Sequence, residues 1–283
     1  MLQERAPAEP PPGPPWDQPL GEAPLAFVDL ELTGLRPERD RIIEVCVERV
    51  RGGVLEARVA SLVRPEPMSF GNGEIHGIQI ADLEGAPTFG ALAPRIVEVL
   101  SGAIMVAHAA DKDAAFLEAE LARAGIAFQA PFHVDTLSLS RRAFAFKTHG
   151  LVALSKALGL AHDRPHRAAS DVTAMRALFD RITAVLRPAT PRDLWHVRVG
   201  ERHARPDVLA AAAHAVEQGL PVTVRYRPSH RAPEDLAMRL LSVRTDLDPP
   251  RVLGYLLASR AHRELRADRI LAILAPTAAA NRA

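Results

Sequence analysis

The stretch Phe27-Val28-Asp29-Leu30-Glu31-Leu32-Thr33-Gly34-Leu35 decides how this chain is read. Alternation along a strand puts Asp29 and Glu31 on the same face. Two neighbouring carboxylates repel each other unless something neutralises them. Hard divalent cations such as Mg2+ or Mn2+ do so, because they prefer oxygen ligands. A solvated strand face is the plainer alternative. It is weakened here because both acids sit in the first apolar strand of the chain, which a mixed sheet would bury.

Further strand-like runs follow at 41–50 and 54–63, joined by Arg51-Gly52-Gly53, a hairpin signal. Helical patterns at 89–100, 111–124, 150–158 and 167–186 alternate with short strands at 104–107 and 132–134. A meander of strands followed by alternating helices and strands predicts an α/β domain with a mixed sheet. Asp113 falls just after the strand at 104–107, near a helix start, where open α/β sheets place their sites. Its alternative is favourable placement in the first turn of a helix dipole. Asp171 falls in the first turns of the helix at 167–186, and His166 sits just before that helix, five residues away. For His166 the alternative is a surface loop histidine.

Domain boundaries follow from composition. Residues 1–24 hold eight prolines and almost no large apolar side chains, so they are expected to be a disordered tail. Arg187-Pro188-Ala189-Thr190-Pro191 opens an expected linker over 188–203. A second domain is expected at 204–276, with an Ala-rich helix near 206–218 and strands near 222–226, 237–243, 251–257 and 269–274. Residues 277–283 are expected to be a tail.

The chain has 283 residues, 48% apolar and 24% charged, with a net charge of +1. These values exclude a disordered chain, a fibre and a charge-driven polyanion binder. Cys46 is the sole cysteine, so intramolecular disulfides and cysteine-cluster zinc sites are excluded. No apolar run is long enough for a membrane span, and no signal-peptide pattern is visible. A cytoplasmic protein with no membrane partner is the expectation.

Together the acidic residues resemble the DEDDh, or DnaQ-like, family of 3′→5′ exonucleases. Its first motif, Asp-x-Glu-x-Thr-Gly-Leu, is matched by Asp29, Glu31, Thr33, Gly34 and Leu35, and continued by Asp40-Arg41-Ile42-Ile43-Glu44. Its middle motif, His-Asn-Ala-x-Phe-Asp, reads His108-Ala109-Ala110-Asp111-Lys112-Asp113 here. Its third, His-x-Ala-x-x-Asp, is matched by His166, Ala168 and Asp171. Ile75-His76-Gly77-Ile78 and Ala86-Pro87-Thr88-Phe89 resemble the proofreading branch. Ala109 and Lys112 depart from the pattern, in place of an asparagine and an aromatic.

The resemblance implies a ribonuclease H-like mixed sheet flanked by helices. It implies two divalent cations, Mg2+ or Mn2+, held by Asp29, Glu31, Asp113 and Asp171, with His166 as general base. It places Leu30, Thr33, Gly34 and Leu35 at the terminal nucleotide and makes His108 a second-layer or phosphate contact. Expected partners are 3′ ends of single-stranded DNA or RNA, DNA favoured, and a DNA polymerase or repair complex. The second domain resembles a WYL domain, a small Sm-like β-barrel, with Tyr255, Arg263, Arg266 and Arg269 as nucleic-acid contacts. Gly254 replaces the tryptophan of that pattern. The competing reading is a non-catalytic regulator that binds nucleic acid or nucleotide through this domain.

Overall fold

The apolar run at the start of the first motif becomes β1 (Leu25–Leu32), the middle strand of a five-stranded sheet. Our structure is a computed structural model, and it describes residues 9–68, 76–130, 132–199, 204–228, 233–247 and 249–275. β2 (Ile42–Arg51) pairs antiparallel with β1, and β3 (Val54–Leu62) with β2. The β2–β3 turn uses Gly52 and Gly53, both at positive φ (55° and 81°), as a two-residue hairpin of this hand requires. β4 (Ile104–Ala107) and β5 (Val134–Asp135) add in parallel on the other side of β1, giving the order β3-β2-β1-β4-β5.

Helices cover both faces of this sheet. They are α1 (Ile80–Leu83), α2 (Phe89–Leu100), α3 (Ala110–Arg123), α4 (Thr136–Ala143), α5 (Leu151–Leu158) and α6 (Ala168–Leu186). Val28 and Leu30 point into a core with Phe89 and Ile96 of α2 and Phe116 and Leu117 of α3. The opposite face of β1 meets α6, where the rings of Phe27 and Phe179 stack edge-on at 5.5 Å. From Phe27 to Glu31 a strand advances about 13 Å. From Phe179 back to Asp171 a helix covers about 12 Å. The ring contact therefore puts Asp171 level with the end of β1 that carries Glu31.

Two boundary expectations change. Residues 9–24, expected to be a tail, are fastened to this unit. Trp16 is only 5% exposed, in a hollow with Leu100, Met105 and Phe128. The Arg192 guanidinium donates to the carbonyls of Pro10 and Pro11 and pairs with Asp17. One buried aromatic and a multiply bonded guanidinium outweigh the ordering cost, which the prolines already lower. The expected linker holds a helix, α7 (Pro191–Val199), with Leu194 and Trp195 buried. Residues 1–8, Ile75, 200–203 and the expected tail at 277–283 lie outside the described residues.

The chain divides into two units, Met1–Ser140 with Lys147–Leu194, and Arg141–Phe146 with Trp195–Ala283. The second contains α8 (Pro206–Gln218) and the strands β6 (Pro221–Tyr226), β7 (Glu234–Arg244), β8 (Arg251–Leu256), β9 (His262–Arg266) and β10 (Ile270–Leu274). All pairings are antiparallel, in the order β10-β6-β7-β8-β9. β9 and β10 are the two edges, and no ladder among the described residues joins them. The expected barrel is therefore corrected to an open sheet. Gly254 is explained by a close crossing. A Cβ there would lie 2.4 Å from the Arg239 carbonyl, so a tryptophan at this position does not fit this sheet. β9 escapes sequence reading because its residues, His-Arg-Glu-Leu-Arg, form a polar edge strand with a single buried side chain, Leu265.

Candidate active site

β1 delivers Asp29 and Glu31 on the face that α6 covers, and α6 delivers Asp171. One carboxylate oxygen from each of these three residues lies within 4.8 Å of the others. Asp113 comes from the first turn of α3, at the same carboxyl end of the parallel strands, and is 3% exposed. It stands outside that three-residue group, but its charge acts on Asp29.

No ion pair reaches Asp29, Glu31 or Asp113 among the described residues. Withdrawal from water raises the pKa of Asp29 well above the usual carboxylate range, and the charges of Asp113, Asp171 and Glu31 add to it. Burial, then Asp171 and Glu44, pushes Glu31 up to about 7. Burial pushes Asp113 up to about 7 against the opposing charge of Lys112. Lys112 offsets only part of this repulsion, since burial and the neighbouring acids still leave all three pKa values raised, and the all-oxygen donor set fits a hard divalent cation. Cys46, opposite Asp29 on β2, is no competing soft ligand. Burial pushes its thiol up to about 12.

Glu44 explains how α6 is aimed, and motif reading gave it no role. It lies directly across from Glu31 on β2. Its carboxylate takes a forked pair from Arg167 (2.9 and 3.0 Å) and a third bond from the Ala168 amide at 3.0 Å. This satisfies an orphan donor at the α6 N-terminus and fixes the first turn, hence Asp171, against β2. The signal was visible as an acid inside an apolar strand, since such an acid needs a buried partner.

Asp135 does the same for α3. Its Oδ1 accepts from the Ala109 amide at 2.9 Å, and the Leu137 and Ser138 amides and the Ser138 hydroxyl donate to the same carboxylate. Ala109 is held at φ 69°, a left-handed conformation that asparagine tolerates better than alanine. The family's asparagine at this position thus has a backbone reason. His162 was also passed over. Its Nε2 donates to Asp171 Oδ1 at 2.7 Å.

The RNase T exonuclease family model matches residues 26–179, more than half of the chain. This chain belongs to the RNase T exonuclease family. The PolC-type DNA polymerase III of Thermotoga maritima is 30% identical over 173 residues, which cover 60% of this chain and 13% of that protein. The 3′-5′ exonuclease DinG of Bacillus subtilis is 31% identical over 187 residues, 65% of this chain and 20% of that protein. The matched part is therefore a small fraction of either relative. Zinc-bound E. coli exonuclease I with single-stranded DNA superposes with a TM-score of 0.55 at 16% identity, over 84% of this chain and 55% of that one. Its complex with a dA16 oligonucleotide gives 0.53 at 16%, over 92% and 66%. At such identities the likeness bears on the fold, which is α/β with a mixed sheet.

Within this exonuclease fold the expected substrate residues separate. Leu35 is 78% exposed beside the first motif. Gly34 leaves room for Asp40, whose carboxylate lies 2.4–2.8 Å from where a Cβ would stand and caps the Arg36 amide. Thr33 Oγ1 accepts from the Arg41 amide at 2.9 Å. One expectation is corrected. Leu30 is 4% exposed and belongs to the core, because alternation turns it away from Asp29 and Glu31. His108 faces protein, with Nδ1 3.0 Å from Thr136 Oγ1 and Nε2 2.9 Å from the His149 carbonyl. His166 is exposed on its loop at φ 62°, and its amide donates to Asp171 Oδ1 at 3.1 Å. No helix among the described residues is long and apolar enough to cross a membrane.

The second unit holds Tyr255 beside His262 (rings 6.3 Å apart) and beneath the Arg260 guanidinium at 5.1 Å. The expected arginine cluster is divided. Cross-strand register puts Arg266 on the Tyr255 face, whereas Arg263 lies opposite Gly254. Arg266 makes a forked pair with Asp268, at 3.0 and 2.7 Å.

Proposed function

We propose that this chain is a metal-dependent 3′→5′ exonuclease of the DEDDh type, acting on single-stranded nucleic acid with DNA favoured. The observation that carries this reading is the group of Asp29, Glu31 and Asp171, three residues with carboxylate oxygens within 4.8 Å of one another. Asp29, Glu31 and Asp171, with Asp113 beside them, would hold two divalent cations, Mg2+ or Mn2+. Bound there, the cations supply Lewis-acid stabilisation of the phosphoryl centre and its leaving oxygen.

The remaining steps belong to the chain. His166, exposed at the lip of the acidic group, takes the proton of the attacking water, a role suited to imidazole near neutral pH. The new P–O bond forms as the bond to the 3′ oxygen breaks, releasing a nucleoside 5′-monophosphate. Leu35 offers an exposed apolar side chain for the terminal base to rest against. In the second unit, a small module resembling a WYL domain, Tyr255 with Arg260 offers a stacking surface for a strand. Arg266, on the Tyr255 face, is the candidate phosphate contact for that strand. A polymerase or repair complex is the proposed partner, in line with the PolC-type relative.

The test is digestion of 5′-labelled DNA and RNA oligonucleotides with Mg2+ or Mn2+. A ladder shortened stepwise from the 3′ end is expected, faster on single-stranded DNA and absent with chelator. His166→Ala should slow turnover about 10²–10⁴-fold. Products that retain the 3′ nucleotide, or turnover indifferent to chelator, would overturn the proposal.

A further inference from the structure

We propose that His162 is a positioning residue that sets the Asp171 carboxylate for cation binding; the inference rests on the metal-dependent reading above. The His162 side chain is only 5% exposed, and Nε2 lies 2.7 Å from Asp171 Oδ1. A carboxylate oxygen only accepts, so Nε2 is the nitrogen that carries the hydrogen. The other ring nitrogen, Nδ1, is buried and has no partner among the described residues. A buried polar atom left unpaired is costly and uncommon. The ring therefore makes a single hydrogen bond, and that bond goes to a residue of the acidic group.

The same Asp171 oxygen accepts the His166 amide at 3.1 Å. Two donors converge on Oδ1, one from each side of the turn at 163–165. Together they fix the tilt of the carboxylate and its distance from Asp29 and Glu31. They also tie the loop that carries His166 to the first turn of α6. The Arg164 amide, which donates to Ser170 Oγ at 3.0 Å, adds a further tie between loop and helix. Asp171 would otherwise be free to swing away from its two like-charged neighbours, since nothing in the cluster attracts it. Hydrogen bonds to a ligand carboxylate commonly govern metal affinity in this way.

The experiment titrates Mn2+ calorimetrically into the full chain without nucleic acid, for wild type, His162→Ala and His162→Gln. His162→Ala should bind Mn2+ about 10–100-fold more weakly. His162→Gln should recover most of the affinity, because its Nε2 amide can donate from the same place. In turnover assays the alanine variant should regain most of its kcat at saturating Mn2+, with KM for the oligonucleotide unchanged. Loss of a general base would not be rescued by metal. If His162→Ala melts below the working temperature, the glutamine variant and His162→Asn, whose shorter amide cannot reach, supply the same contrast. Undiminished Mn2+ affinity in His162→Ala, or equal weakening in alanine and glutamine variants, overturns the assignment alone. Wild-type protein that binds no Mn2+ overturns the metal reading and this assignment with it.

Discussion

Glu31 on the first sheet and Asp246 beside the second are driven to opposite ends of the carboxylate range, to about 7 and about 2. For Glu31 the main cause is burial, reinforced by other acids. For Asp246 it is the forked hydrogen bond from Arg244, at 2.8 and 2.7 Å. The contrast extends along both sheets. In the second unit Arg225 pairs with Asp235, Arg251 with Glu264 and Arg266 with Asp268. In the first, Arg167 is spent on Glu44 and Arg176 on Glu48, while Asp29, Glu31 and Asp113 are left without an ion pair among the described residues. A unit that completes its own charges does not need a cation from outside. A unit that packs acids together and withholds arginine from them is one that a bound cation would stabilise.

Asp29→Asn is the strongest way to break this comparison. It removes the charge at the centre of the group while keeping shape, so hydrolysis should fall below detection. The metal-free protein should at the same time melt higher, because like-charge repulsion is relieved. Oligonucleotide digestion and thermal melting check the two halves, and activity near wild type would break the site assignment.

Glu44→Ala removes the acid beside the cluster that is compensated. Arg167 and the Ala168 amide would lose their acceptor, and stability should drop by about 2–4 kcal/mol, between a lost helix cap and a broken buried pair. Chemical denaturation measures it. Turnover should fall too, because α6 carries Asp171.

The pH dependence sharpens the contrast. Carboxylates with raised folded-state pKa favour folding while protonated. That stability is fully present below their unfolded values near 4 and is lost as pH rises towards about 7, the value for Glu31 and Asp113. Metal-free protein should therefore melt several degrees lower at pH 8 than at pH 5, and Mn2+ should reverse the order. A melting temperature that rises with pH without metal would contradict the burial of uncompensated acids.

The smallest effect belongs to the second unit. Arg244→Ala breaks a fully solvated pair, which salt and water already screen. The melting temperature should stay unchanged within error, with or without divalent cation.

Motif spacing and alternation by themselves placed Asp29 and Glu31 on one strand face, Asp113 and Asp171 at helix starts, and the α/β order of elements. These features are local: a period of two or 3.6 residues and a helix start can be read from neighbours in the chain. What only the tertiary structure decided depends on partners far apart in sequence. The Glu44–Arg167 fork spans 123 residues, and the Arg192 contacts that fasten the N-terminal segment span more than 170. No motif spacing singles out His162, and only folding buries it against Asp171. His108 looked free for a phosphate until Thr136 and the His149 carbonyl took both nitrogens. The reach of Gly254 was likewise hidden, because its reason is the Arg239 carbonyl of the adjoining strand. Local pattern gives each residue a face and an element. Burial and the choice of hydrogen-bond partner are properties of the whole packed chain, and these determine which acids stay uncompensated and which side chains hold them in place.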